Sequence, residues 1–122
     1  MNQEAHSQAK NRRALPPAEV RFVEVHVEPW PDGRRLRVHM TLTPFKTPPN
    51  LQATLLNDQD EEIAGANIIE TVAERLVFTM HIPAQAVGSQ YKLAADLMYP
   101  ELGVVDHRMV AFEISGSSPP ND

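Results

Sequence analysis

Between Val23 and Leu42 the chain alternates with period two, reverses, and alternates again. Val23, Val25 and Val27 are separated by Glu24 and His26, and Glu28 follows. Leu36, Val38, Met40 and Leu42 are separated by Arg37, His39 and Thr41. Successive side chains of an extended strand point to opposite faces, so each run has one apolar face and one wet face. Between the runs stands Trp30-Pro31-Asp32-Gly33-Arg34, and proline followed by Asp-Gly marks a tight reversal. The two runs therefore fold as a hairpin. The register that keeps its apolar stripe unbroken sets Val27 against Val38, Val25 against Met40 and Val23 against Leu42. The same register sets Glu28 against Arg37, His26 against His39 and Glu24 against Thr41 on the wet face. An opposite-charge pair across strands contributes about 0.2–1 kcal/mol. A slip of one residue would set valines against arginines and histidine, which specifies the pairing further.

The same grammar continues along the chain. The hairpin strands are predicted over Val20–Pro29 and Arg35–Phe45. Pro44, Pro48 and Pro49 then mark a loop, since proline cannot donate to a central ladder. Leu51, Ala53 and Leu55 begin a third strand. Asn57-Asp58-Gln59-Asp60 is a turn tetrad. A fourth strand returns over Glu61–Ile69, with Gly65 marking a bulge inside it. Leu76, Phe78, Met80 and Ile82 alternate along a fifth strand, Arg75–Ile82. A crossing over Ala84–Gln90, with room for one helical turn, leads to a sixth strand, Gln90–Tyr99. The seventh runs Val104–Ile114. About seven strands separated by turn signals, with no long helical pattern in the body, predict an all-β, two-sheet antiparallel sandwich.

Residues 1–18 are polar and end in Leu15-Pro16-Pro17, and they read as a disordered leader. The domain is expected over 19–115, with 116–122 as a disordered tail. A chain of 122 residues is one domain, large enough to bury a core without staples. It has no cysteine, which excludes disulfides, thiolate metal sites and cysteine nucleophiles. Its net charge of -5 argues against a nucleic-acid footprint. No run approaches the roughly 18 apolar residues of a membrane span. The N-terminal residues carry no apolar signal region. A cytoplasmic protein that binds neither nucleic acid nor membrane is expected.

At Gly88-Ser89-Gln90-Tyr91-Lys92-Leu93-Ala94-Ala95 the chain resembles the start of strand F in immunoglobulin-like and fibronectin-type-III-like sandwiches. In those domains a corner tyrosine bonds back to upstream backbone. The stretch Leu55 to Ala64 is similar to their C to C′ hairpin. The resemblance implies that strands one, two and five share a sheet with the fourth at its edge, while three, six and seven form the other. The antibody-type cysteine pair and third-strand tryptophan are absent. Function does not travel with such a fold.

Four groups of residues invite a functional reading. His26, His39 and His81 fall on outward faces of strands expected to be neighbours, and imidazoles so placed suit Zn²⁺, Ni²⁺ or Cu²⁺. Opposed His26 and His39 also suggest a response to pH. Asp58, Asp60, Glu61 and Glu62 lack the glycine and the final glutamate of a calcium loop, so they read as a solvated acidic turn. Asp106 and His107 are adjacent, so they point to opposite faces and do not act as a pair. No nucleophile elbow, phosphate loop or metalloprotease helix occurs, so nothing motivates an enzyme and no cofactor is implied. Trp30 and Phe45 are large apolar groups in proline-rich loops. Met98, Val105 and Met109 are expected to point away from the core. These five suit contact with a protein partner or with a second copy in a homodimer. The expected function is a non-catalytic interaction or assembly module, with metal or small-ligand binding on the histidine face as the alternative.

Overall fold

The computed structural model describes residues 14–83 and 90–114. The described residues form seven strands: β1 (Phe22–Pro29), β2 (Arg35–Leu42), β3 (Asn50–Leu56), β4 (Glu62–Ile68), β5 (Arg75–His81), β6 (Gln90–Tyr99) and β7 (Gly103–Glu113). A single 3-10 turn, Pro17–Glu19, precedes them. The strands make two antiparallel sheets, β1-β2-β5 and β4-β3-β6-β7. The protein is an all-β, two-sheet sandwich. The expected leader through residue 13, the crossing over 84–89 and the tail from 115 lie outside the described residues. Inside the expected leader, Leu15 forms a bridge to Phe45, donating its N–H to Pro44 O at 3.0 Å.

The first hairpin forms as its residues dictate. Trp30 N–H donates to Arg35 O, and Gly33 N–H donates to Trp30 O. Gly33 sits at φ +70°, a conformation that a β-carbon would strain. Asp32 secures the turn by accepting the N–H of Arg34 at 2.9 Å. In the second hairpin, Asn57 Oδ1 accepts both Gln59 N–H and Glu61 N–H. Asparagine favours turns because its side chain replaces backbone partners in this way.

The core is the space between the sheets. Leu36, Val38 and Met40 of β2 meet Leu51 and Leu55 of β3 and Leu93, Ala95 and Leu97 of β6, all essentially inaccessible to water. Period-two alternation places these residues inward, and the intervening polar residues outward, on the strands that sit in mid-sheet.

Four expectations are corrected. Val23 does not face Leu42: β1 has a bulge between Phe22 and Glu24, so Phe22 pairs with Leu42. Phe22 is 2% exposed and Val23 58%. An extra residue in one strand turns its side chain away from the alternation, and the larger apolar group takes the core place. β4 does not join the β1-β2-β5 sheet but pairs with β3, because the short Asn57 turn returns it directly alongside. Gly65 is not a bulge; it lies in register with Thr54, and the irregularity falls at Leu55/Leu56. Val105 does not point away from the core. The β6–β7 ladder passes from Leu97↔Asp106 to Met98↔Val104, leaving Val105 as the extra residue, packed against the core.

The same displacement closes one side of the sandwich. Asp106, on the inner face of β7, accepts the N–H of Phe22 at 2.8 Å, and the Arg108 guanidinium donates to Phe22 O. Both main-chain groups at the β1 bulge are thereby satisfied by the opposite sheet.

Chemical denaturation will separate the two hydrophobic neighbours. Phe22→Ala is expected to cost about 3–5 kcal/mol as a core truncation, and Val23→Thr less than about 0.5 kcal/mol as a surface change. Equal losses would restore the unbulged register. In the same assay Asp106→Ala is expected to cost about 1–3 kcal/mol, because it strands a main-chain donor, and Asp106→Asn less, because it keeps an acceptor.

Candidate functional site

The outward face of β1-β2-β5 carries the larger cluster of functional side chains. His26 stands opposite His39 and Glu28 opposite Arg37, as the alternation predicts. The two imidazole rings are 5.4 Å apart at their centroids. Glu28 serves them rather than the arginine. Its Oε1 lies 3.1 Å from His39 Nε2 and its Oε2 lies 3.6 Å from His26 Nε2. With Glu28 ionised, His39 Nε2 carries the proton and donates. That hydrogen bond, with the imidazole charges, holds the Glu28 carboxyl below the usual carboxylate range, against a partial desolvation that pulls it up.

Arg37 turns toward Trp30 instead, its guanidinium 5.7 Å from the ring, while that of Arg35 covers the ring at 4.0 Å. Such contacts are worth about 0.5–1 kcal/mol at exposed sites. Asp32 holds Arg35 in place at 2.9 Å. The backbone N–H of Arg34, and then the Arg35 side chain, keep the Asp32 carboxyl low. Trp30 is thus fixed under arginine at the hairpin end.

His81 does not join the histidine pair. It lies opposite Arg35, whereas Val77 lies opposite His39, which puts His81 four residues further along β5. Among the described residues no three metal-ligating side chains are grouped closely enough to hold an ion. The residue that the sequence reading missed is Glu28. Its signal was present: it lies two residues along β1 from His26, on the same outward face as both histidines.

Over the far half of this face lies a hollow of about 390 Å³, lined by Val23, Glu24, His26, His39, Thr41, Arg75 and Val77. A second hollow of about 380 Å³, lined by Thr41, Leu42, Val72, Glu74 and Arg75, adjoins it. Thr41 and Arg75 belong to both.

The outward face of the other sheet is different. Cross-strand pairing sets Asn67, Gln52, Asp96 and His107 in one row. His107 Nδ1 lies 2.6 Å from Asp96 Oδ1. The carboxylate partner of His107 is therefore Asp96 on β6. Its neighbour Asp106 faces inward, as the alternation predicts. Beside this row Met109 pairs with Ala94 and Val104 with Met98. Val104 is 55% exposed, Met109 and Leu102 50%, and Met98 is half-buried. In the acidic turn Asp60 meets Lys92 at 2.7 Å, and Glu61 accepts from the Asn57 amide at 2.9 Å. Phe45 is half-buried and packs against the core. Tyr99 donates its hydroxyl to Thr47 O at 2.8 Å, and burial raises its pKa. Tyr91 is buried and stacks on Phe112 at 5.9 Å. Residues 84–89, just upstream, lie outside the described residues, so the expected bond of Tyr91 to that backbone is not described.

No family model and no curated protein matches the sequence. Solved structures do match the fold. A Bifidobacterium dentium β-glucuronidase complexed with coumarin-3-O-glucuronide aligns with TM-score 0.62 at 12% identity, over 80% of this chain and 18% of that one. A glycosyl hydrolase family 2 member from Bacteroides cellulosilyticus aligns with TM-score 0.60 at 14% identity, over 78% of this chain and 15% of that one. A Ruminococcus gnavus β-glucuronidase gives 0.54 at 14%, over 79% and 16%. The chain is similar to a β-sandwich portion of these enzymes and spans only a small share of their length. Identities this low establish the fold alone. Among the described residues no helix is long and apolar enough to cross a membrane.

The Glu28 cluster has a defined acid signature. Its depressed carboxyl makes a stabilising contribution that is fully present above the ordinary glutamate value of about 4.3. The contribution is lost as pH falls through the lower value of the folded state. Thermal melts should therefore show Glu28→Gln less stable than the parent near neutrality. The gap should close as the solution is acidified below the carboxylate range. A gap independent of pH would show that Glu28 acts by packing and not by charge.

Proposed function

We propose that this chain is a non-catalytic β-sandwich module that works by protein contact through the outward face of β6 and β7. The observation that carries the reading is the exposed apolar set Val104, Met109 and Leu102, flanked by Met98, on a face otherwise built of polar and small residues. Large apolar groups clustered on a polar surface mark contact sites, and methionine adapts well to an opposing surface. The polar row of Gln52, Asp96 and His107 beside them supplies the rim. The reading is supported by the small share that the similar sandwich occupies in the β-glucuronidases, where most of each chain lies outside it. An accessory, non-catalytic role fits a chain whose side-chain pairs, Glu28 with the histidines, Asp32 with Arg35 and Asp96 with His107, lie on open sheet faces. Catalysis calls for convergent groups in a pocket.

The first partner to test is a second copy of this chain. Sedimentation velocity across a concentration series from micromolar upward is expected to show a reversible dimer. Met109→Lys should weaken it by at least about tenfold, with an unchanged melting temperature. A monomer at every concentration, with Met98 and Met109 oxidised by peroxide at the rate of free methionine, would count against self-association through this face.

A further inference from the structure

The hollow over β1, β2 and β5 has features that protein contact through the other sheet does not use. We infer that it binds a small organic carboxylate, with the anionic group on Arg75, the apolar body between Val23 and Val77, and the His26–His39 pair gating binding by its protonation.

The hollow owes its wall to the β1 bulge. The irregularity at Phe22/Glu24 lifts Val23 out of the core to 58% exposure, and Val77 stands at 55% on the opposite strand edge. Its volume of about 390 Å³ falls in the range of sites for small molecules, roughly 300–1,000 Å³. Two exposed valines facing across a gap offer apolar contact to the body of a ligand but not to its charge.

The charge is supplied by Arg75. It lines both adjoining hollows. Among the described residues no ion pair and no hydrogen bond takes up its side chain. A free guanidinium at the edge of an apolar gap suits a planar carboxylate, which it grips through two parallel N–H donors. Thr41, on the floor between Glu24 and Arg75, adds a hydroxyl.

The field in the hollow depends on the imidazoles. Glu24 forms part of the wall, Glu28 hydrogen-bonds His39 and lies 3.6 Å from His26, and Glu74 lines the adjoining hollow. The cations facing them are Arg75 and, opposite Glu28, Arg37. With neutral imidazoles the acids outnumber the bases, and an anion is disfavoured. Protonation of His26 and His39 reverses that balance. Glu28 lies against both rings, with its Oε1 3.1 Å from His39 Nε2 and its Oε2 3.6 Å from His26 Nε2.

The test is a nuclear magnetic resonance titration of the full chain with benzoate, at about pH 5.5 and about pH 8. At the lower pH, saturable shifts are expected at Val23, His26, His39, Thr41, Arg75 and Val77. Affinity should be at least about tenfold weaker at the higher pH. Arg75→Gln, an exposed change, should retain the dispersed spectrum and lose the binding. Converting both histidines to Asn should retain the spectrum and remove the pH dependence. Benzamide, the neutral analogue, should not bind. Equal affinity for benzamide, or unchanged binding in Arg75→Gln, would overturn the inference. So would inorganic phosphate binding as tightly as benzoate, because the valine walls would then contribute nothing.

Discussion

The ladders of backbone hydrogen bonds run within each sheet, so the sandwich depends on apolar contact between the sheets. β2 is the middle of one sheet, and β3 with β6 the middle of the other. Their inward residues are among the most deeply buried of the described residues. Each square ångström of apolar surface removed from water there is worth about 25 cal/mol. Interdigitation at near-crystalline density adds a penalty for any void. Edge strands contribute less: β4 and β7 carry mostly half-buried or exposed side chains. Proximity to this central contact separates the residues that hold the fold from those free to take part in function.

The junction of β1 with β7 adds polar contact between the sheets. A bulge leaves ladder groups unpaired, and buried unpaired groups are expensive. At Phe22 they are satisfied by Asp106 and Arg108. Charged residues pointing inward at an edge also discourage pairing with stray strands. The bulge thus sends Phe22 into the core, brings two charges to the seam and lifts Val23 onto the outer face. One extra residue links the packing of the core to the shape of the surface above it.

The two outer faces solve different electrostatic problems. On the three-stranded sheet, one glutamate is contested by an arginine and two histidines. The histidines win, and the arginine leans toward Trp30. On the four-stranded sheet, Asp96 and His107 form a compact pair beside exposed aliphatic and methionine side chains. Exposed ion pairs of this kind contribute little to stability, about 0–1 kcal/mol. Their arrangement matters for what can approach the face.

The existence of the strands and most of the first hairpin were legible in the sequence, because period two is a direct consequence of extended backbone geometry. It correctly set His26 against His39 and Glu28 against Arg37. It also separated Asp106 from His107. Alternation is blind, however, to an inserted residue. The bulges that expose Val23 and turn Val105 toward the core are decided by which side chain best fills the space between sheets, and only the folded core sets that space. The sheet to which β4 belongs follows from the shortness of the Asn57 turn, which outweighs resemblance to a strand order. Opposition in register did not determine bonding either. Glu28 lies opposite Arg37 yet hydrogen-bonds His39 and sits against His26, because side-chain reach and competing partners exist only once the strands lie side by side. The hollow beside Arg75 is likewise tertiary, made by strands distant in sequence and by one residue too many in β1.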